Sequence, residues 1–144
     1  MQKGHVLVEQ NRFKLFFIFQ GPAILYAIVI YIMSSFPGYT IPTIPFDYGD
    51  KVVHMLEFGL FGIFLYRAFR FPKPSFKPLR QTIAFGILYA ASDEIHQLFV
   101  PKRFCDFYDF AADCIGLILF AYISSRLNPA PNDDSDIFIL NNDR

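Results

Sequence analysis

Two stretches of this 144-residue sequence carry side chains that can hold cations or move protons. The first is DKVVHMLE at 50–57, with Asp50, Lys51, His54 and Glu57; the second is SDEIHQLFVPKRFCDFYDFAAD at 92–113, with Asp93, Glu94, His96, Gln97, Arg103, Asp106, Asp109 and Asp113. Two histidines among several carboxylates permit two chemistries. A divalent metal can take His54, Glu57 and Asp93 as ligands, with His96 or Asp109 as further donors, and activate water against a phosphorus–oxygen or carbonyl centre. Alternatively, a carboxylate–histidine pair acts as general acid and base without metal. Neither an HExxH run nor a CxxC pair is present to choose between them.

In this scheme Asp93, His96 and Asp109 are the catalytic candidates. Lys51 and Arg103, with Glu94 and Gln97, are the candidates for gripping a substrate. Asp50 and Asp106 have a plainer role available, capping the helices they precede, where free N–H groups attract an acid; Asp113 is grouped with them as structural. Glu57 can likewise pair with Arg103 for structure alone. No cofactor is identified beyond a possible divalent metal.

The elements that must position these groups are apolar helices. The chain is 53% hydrophobic and 19% aromatic, its mean hydropathy is +0.32, and no charged residue occurs between Leu15 and Phe46. That run exceeds the roughly 20 residues needed to cross a hydrocarbon core. Segments of similar length follow at 52–71, 81–100 and 107–127, with charges mainly at their ends. The expected fold is all-α: a polytopic membrane protein with four transmembrane helices in an up-down bundle. Gly21 and Pro22 predict a kink early in the first helix, which is too long for a signal peptide's apolar region. Cys105 and Cys114 make no disulfide scaffold.

Charge sets the orientation. Lys3, Arg12 and Lys14 precede the first span; Arg67, Arg70, Lys73, Lys77 and Arg80 bracket the loop after the second; Arg126 follows the fourth. By the positive-inside rule both termini are cytoplasmic, and the loops at 37–51 and 101–106 face outward. The acids lie opposite: Asp47, Asp50, Glu57, Asp93, Glu94, Asp106, Asp109 and Asp113 all fall in the outward part. A formal net charge of zero therefore conceals a polarised molecule, and the basic edge suits lipid headgroups rather than nucleic acid. Three segments result: a cytoplasmic amino-terminal stretch at 1–14, a membrane domain at 15–127 and a flexible cytoplasmic tail at 128–144.

Helical phase converges the polar groups. Asp50, His54 and Glu57 fall within about 60° of one another around their helix. Asp93, His96 and Gln97 form a comparable face on the third helix, with Glu94 about a quarter-turn away, and Asp106, Asp109 and Asp113 form one on the fourth. Carboxylates are costly in lipid, so the three stripes are expected to turn inward around one outward-opening pocket.

The same residues carry a family resemblance. Asp50, Lys51 and His54 match a DK-x-x-H start; His54, Glu57 and Phe58 match H-x-x-E with a following aromatic; Asp93, Glu94, His96, Gln97, Phe99 and Pro101 match DE-x-HQ-x-F-x-P, followed by Arg103 and Asp109. Over roughly 20–125 the chain resembles the VanZ-like family, small integral membrane proteins named after a teicoplanin-resistance accessory. It departs at Lys102, where the family often has glycine, at Asp113, where asparagine is common, and at Phe120, which replaces the small residue that would complete a GxxxG-like contact with Gly116. The resemblance implies a near-four-helix, multi-pass protein of the bacterial cytoplasmic membrane, in a family associated by name with antibiotic resistance. The expected function is that of an envelope hydrolase or transferase acting on a lipid-linked phosphate or surface glycan precursor. The alternative is a non-enzymatic binder of an envelope lipid or glycopeptide. Expected partners are membrane lipid and a lipid-linked envelope precursor; the sequence specifies no oligomeric state.

Overall fold

The computed structural model describes residues 13–38, 48–71 and 77–129. The amino-terminal stretch to residue 12, residues 39–47 of the first expected outer loop, the loop centre at 72–76 and the tail from residue 130 lie outside the described residues. Among those described there are five helices and no strands: α1 (Phe13–Phe19), α2 (Gly21–Ser34), α3 (Gly49–Arg70), α4 (Pro78–Gln97) and α5 (Phe107–Leu127).

The kink expected near Gly21 and Pro22 is a 47° bend between α1 and α2. Proline early in α2 supplies no N–H to continue the ladder of α1. Gln20 sits at the break, and its Nε2 donates to the carbonyls of Ala68 at 3.0 Å and Phe71 at 2.6 Å. Those carbonyls belong to the last turn of α3, which has no intrahelical donor for them. Phe19 stacks on Phe71 at 4.6 Å, closing the joint. Proline also starts α4: Pro78 moves its beginning three residues ahead of the expected 81, and the helix ends at Gln97 because residues 98–100 turn away.

By length and composition α3 and α5 can each cross a membrane, and the bent α1–α2 pair makes a third span if it counts as one. α4 is as long, but Arg80, Asp93 and Glu94 lie within it. The burial pattern agrees with a membrane protein. Phe85, Leu88, Ile115 and many other large apolar side chains are exposed, while Asp93, Glu94, Gln97, Asp113, Ser34 and Thr82 are buried. An apolar skin over buried acids is the arrangement that lipid, not water, stabilises.

α3 and α5 form the most extensive interface. Gly116 on α5 lies against the backbone of Met55, where a Cβ would strike the Met55 carbonyl oxygen, and a Cβ at Gly62 would come within 2.7 Å of the Leu117 carbonyl oxygen. Phe120 does not prevent this approach. Its ring enters the notch at Gly59, where a Cβ would lie 2.9 Å from Phe120 Cδ2, so the small residue is supplied by the opposite helix. Ile30, Phe58, Phe61, Ala90 and Leu117 make the apolar core, with Tyr26, Tyr89 and Phe110 packed around it. α2 joins through α3 and α4, and Tyr89 Oη donates to Ala27 O at 2.6 Å.

Candidate functional site

The polar residues of α3 and α5 meet directly. Asp50 lies one residue inside α3, and Lys51 follows it. The Lys51 ammonium donates to Asp109 Oδ1 at 2.6 Å and Asp106 Oδ2 at 2.9 Å, and lies 3.0 Å from Asp50 Oδ2. One cation with three N–H donors thus serves three carboxylates. Asp106 is the N-cap of α5, accepting from the Tyr108 N–H at 2.8 Å. The Lys51 bond, with that capping bond, holds its carboxyl below the usual carboxylate range.

One turn deeper, His54 stands between two aspartates of α5. Its Nδ1 is hydrogen-bonded to Asp113 Oδ1 at 3.0 Å, and its Nε2 lies 4.0 Å from Asp109 Oδ2. The spacing 106, 109, 113 keeps all three aspartates on one helix face, and that face is toward α3. Asp113 is completely buried. α4 contributes Glu94, whose Oε2 accepts from the Asp106 N–H at 2.9 Å. Glu94 Oε1 and Asp113 Oδ2 are buried and have no hydrogen-bond partner among the described residues. One donor atom from each of His54, Glu94 and Asp113 lies within 4.8 Å of the others.

The rest of the α4 motif turns toward α2. Asp93 Oδ2 accepts from Ser34 Oγ at 2.8 Å and from Gln97 Nε2 at 3.3 Å. His96 Nε2 is hydrogen-bonded to Ser35 Oγ at 3.0 Å, and its ring lies 4.6 Å from that of Tyr31. Arg103 Nε reaches the Phe36 carbonyl at 3.4 Å. Glu57, half-buried, lies between the two branches, within electrostatic reach of His54, Asp93, Asp113 and Arg103.

The expected site residues therefore assemble at one end of the bundle in two branches. Asp50, Lys51, His54, Glu94, Asp106, Asp109 and Asp113 form the α3–α4–α5 branch; Asp93, His96, Gln97 and Arg103 form the branch at the end of α2. Of the ligand set His54, Glu57 and Asp93, His54 turns to Asp113, whereas Asp93 is held by Ser34 and Gln97. The quarter-turn that separates Glu94 from Asp93 is what sends these neighbours to different helices. Ser34 and Ser35 were not among the expected site residues. Their signal was a pair of hydroxyls closing an otherwise apolar helix.

The turn between α4 and α5 packs closely on the chain that follows α2. Lys102 has φ 61°, the left-handed region, and the Gly38 N–H donates to Pro101 O at 3.1 Å. A Cβ at Gly38 would collide with the Lys102 carbonyl. A cavity of about 640 Å³ lies at the opposite end of the bundle, lined by Tyr66, Lys77, Pro78, Arg80, Ser125 and Pro129 among others. Among the described residues its lining holds no carboxylate; the carboxylates and histidines considered above gather at the other end.

A family model described as VanZ/LLP1 matches residues 6–128, which include every residue of both branches. No curated protein and no solved structure matches the chain significantly.

Proposed function

The chain belongs to the VanZ/LLP1 family, and from that premise we propose a four-span envelope protein whose acidic end faces outward and hydrolyses or transfers the phosphate of a lipid-linked precursor. Both termini are cytoplasmic in this reading, with residues 1–14 and 128–144 outside the membrane domain. The observation that carries it is His54, held between Asp109 and Asp113 among buried acids beneath an apolar skin. A helix bundle in lipid retains such groups where they serve a pathway or a reaction.

Charge narrows the chemistry. Asp50, Glu57, Asp93, Glu94, Asp106, Asp109 and Asp113 outnumber Lys51 and Arg103, and Lys51 already faces three carboxylates. A divalent cation held among these groups, with His54, Glu94 and Asp113 within ligand reach of one another, would offset the charge of a phosphate and supply Lewis-acid polarisation of its oxygen. Arg103, near the rim, grips a second phosphate oxygen. Glu57 accepts the proton of the attacking water or hydroxyl, Asp109 orients His54, and His96 returns a proton to the leaving group.

The test is turnover. Protein reconstituted in nanodiscs, given long-chain isoprenoid phosphates or pyrophosphates with magnesium, manganese or zinc, is expected to release or transfer phosphate, and Glu57→Gln to slow it by about 100-fold or more. No product with any of these ions overturns the reaction. A second reading rests on the rim itself, where Tyr48, Phe99, Phe104, Phe107 and Tyr108 are all strongly exposed. Such a belt of aromatics suits a non-enzymatic binder of an envelope lipid or glycopeptide; saturable binding without product selects it.

A further inference from the structure

We propose that His54, Glu94 and Asp113 form a binding site for one divalent transition-metal ion of the zinc or manganese class. The ligands come from three helices, α3, α4 and α5, and their donor atoms already lie within 4.8 Å of one another. Metal–ligand bonds of about 2.0–2.2 Å put tetrahedral donors roughly 3.3–3.6 Å apart. Small side-chain rotations close that gap, with no helix required to move.

The oxygens without partners point to an ion rather than to packing. Glu94 is 2% exposed and Asp113 0%, yet among the described residues each leaves one carboxylate oxygen without a partner, Glu94 Oε1 and Asp113 Oδ2. A buried carboxylate oxygen that has given up water needs a compensating partner. The other oxygen of Glu94 is fixed by the Asp106 N–H at 2.9 Å, and Asp113 Oδ1 lies 3.0 Å from His54 Nδ1. Nδ1 and Asp113 Oδ1, already 3.0 Å apart, stand nearly as two donors on one ion do, so an ion would take the place of the proton shared between them. The Asp106 bond is an outer-shell contact of the kind that orients ligands in metal sites.

The donor set chooses the class of ion. Two carboxylates and a neutral imidazole offset a dication, and mixed nitrogen and oxygen donors suit zinc or manganese better than calcium. Three protein ligands leave a coordination position for water or for a phosphate oxygen. The assignment deepens the phosphate reading by naming the residues that hold its cation, but its test reads the ion alone.

That test uses the full chain in detergent, stripped with chelator, in a Cys105→Ser, Cys114→Ala background so that thiols bind nothing. Titration with zinc and with manganese is expected to show one ion per chain, with affinity lowered 10-fold or more by H54A, E94Q or D113N. A thermal-shift series guards against variants that fold poorly: added ion raises Tm in the parent protein and leaves E94Q unmoved. The competing arrangement is a proton held between the Glu94 and Asp113 carboxyls. It is shown, and the metal site overturned, if the parent binds no stoichiometric ion, or if binding is unchanged in E94Q and D113N. Ion binding without phosphate turnover removes the reaction and keeps the site; turnover and ion binding that both persist in E94Q remove the site and keep the reaction.

Discussion

Lys102 adopts a backbone conformation that suits glycine. At φ 61° an L side chain crowds the following carbonyl, a cost of about 1–2 kcal/mol that glycine avoids, offset in part by glycine's greater freedom when unfolded. Lys102→Gly is expected to raise stability by about 0.5–1 kcal/mol in detergent unfolding. A loss would show instead that the lysine side chain makes a stabilising contact of its own. At this scale the sequence was legible where helical phase suffices: His54 with Glu57, and Asp106 with Asp109 and Asp113. It was not legible for Glu94, because phase gives the direction of a side chain but not which neighbour occupies it. Glu94 was offset from the Asp93 stripe in the expectation, and that offset is what aims it at α5.

At the scale of elements, the close crossing of α3 and α5 carries a sharp contrast between glycines. Gly116→Ala would drive a Cβ into the Met55 carbonyl, a backbone atom that cannot swing aside, and is expected to cost about 2–3 kcal/mol or more in unfolding free energy. Gly21→Ala meets nothing within 4 Å and is expected to change stability by less than about 1 kcal/mol. Equal losses in the two variants would mean that the crossing is looser than it is drawn here. The all-helical architecture and the bend near Pro22 followed from apolar length and proline. The notch at Gly59 did not, because a GxxxG reading searches one helix for small residues, whereas here Gly59 on α3 receives Phe120 from α5. Which helices cross is a property of the assembled bundle, and only afterwards does the pairing look natural.

On the scale of the whole molecule, the basic residues Arg70, Lys77 and Arg80 lie at the end opposite the acids, where Arg70 Nε also holds Pro129 O at 3.0 Å. This polarity was legible because charges count the same whether or not the packing is known. It leads to an orientation test through the cysteines. Cys105, exposed in the turn before α5, should react with a membrane-impermeant maleimide added to intact cells, while Cys114, partly buried inside α5, should not. Labelling of Cys105 only after the membrane is opened would reverse the proposed orientation.

The two-way division of the α4 motif also has a temporal side. Asp93 is met by Ser34, which lies upstream in the chain, whereas Glu94 is met by the Asp106 N–H, which lies downstream. During synthesis, α4 of the proposed four-span arrangement would therefore reach the insertion machinery with the partner of one carboxyl already made and that of its neighbour still to come. Charged groups weigh against insertion of a lone helix, so α4 is expected to wait at the translocon for α5 and enter the bilayer with it as a hairpin. The residues that build the polar pit would then also set the order in which the protein is assembled.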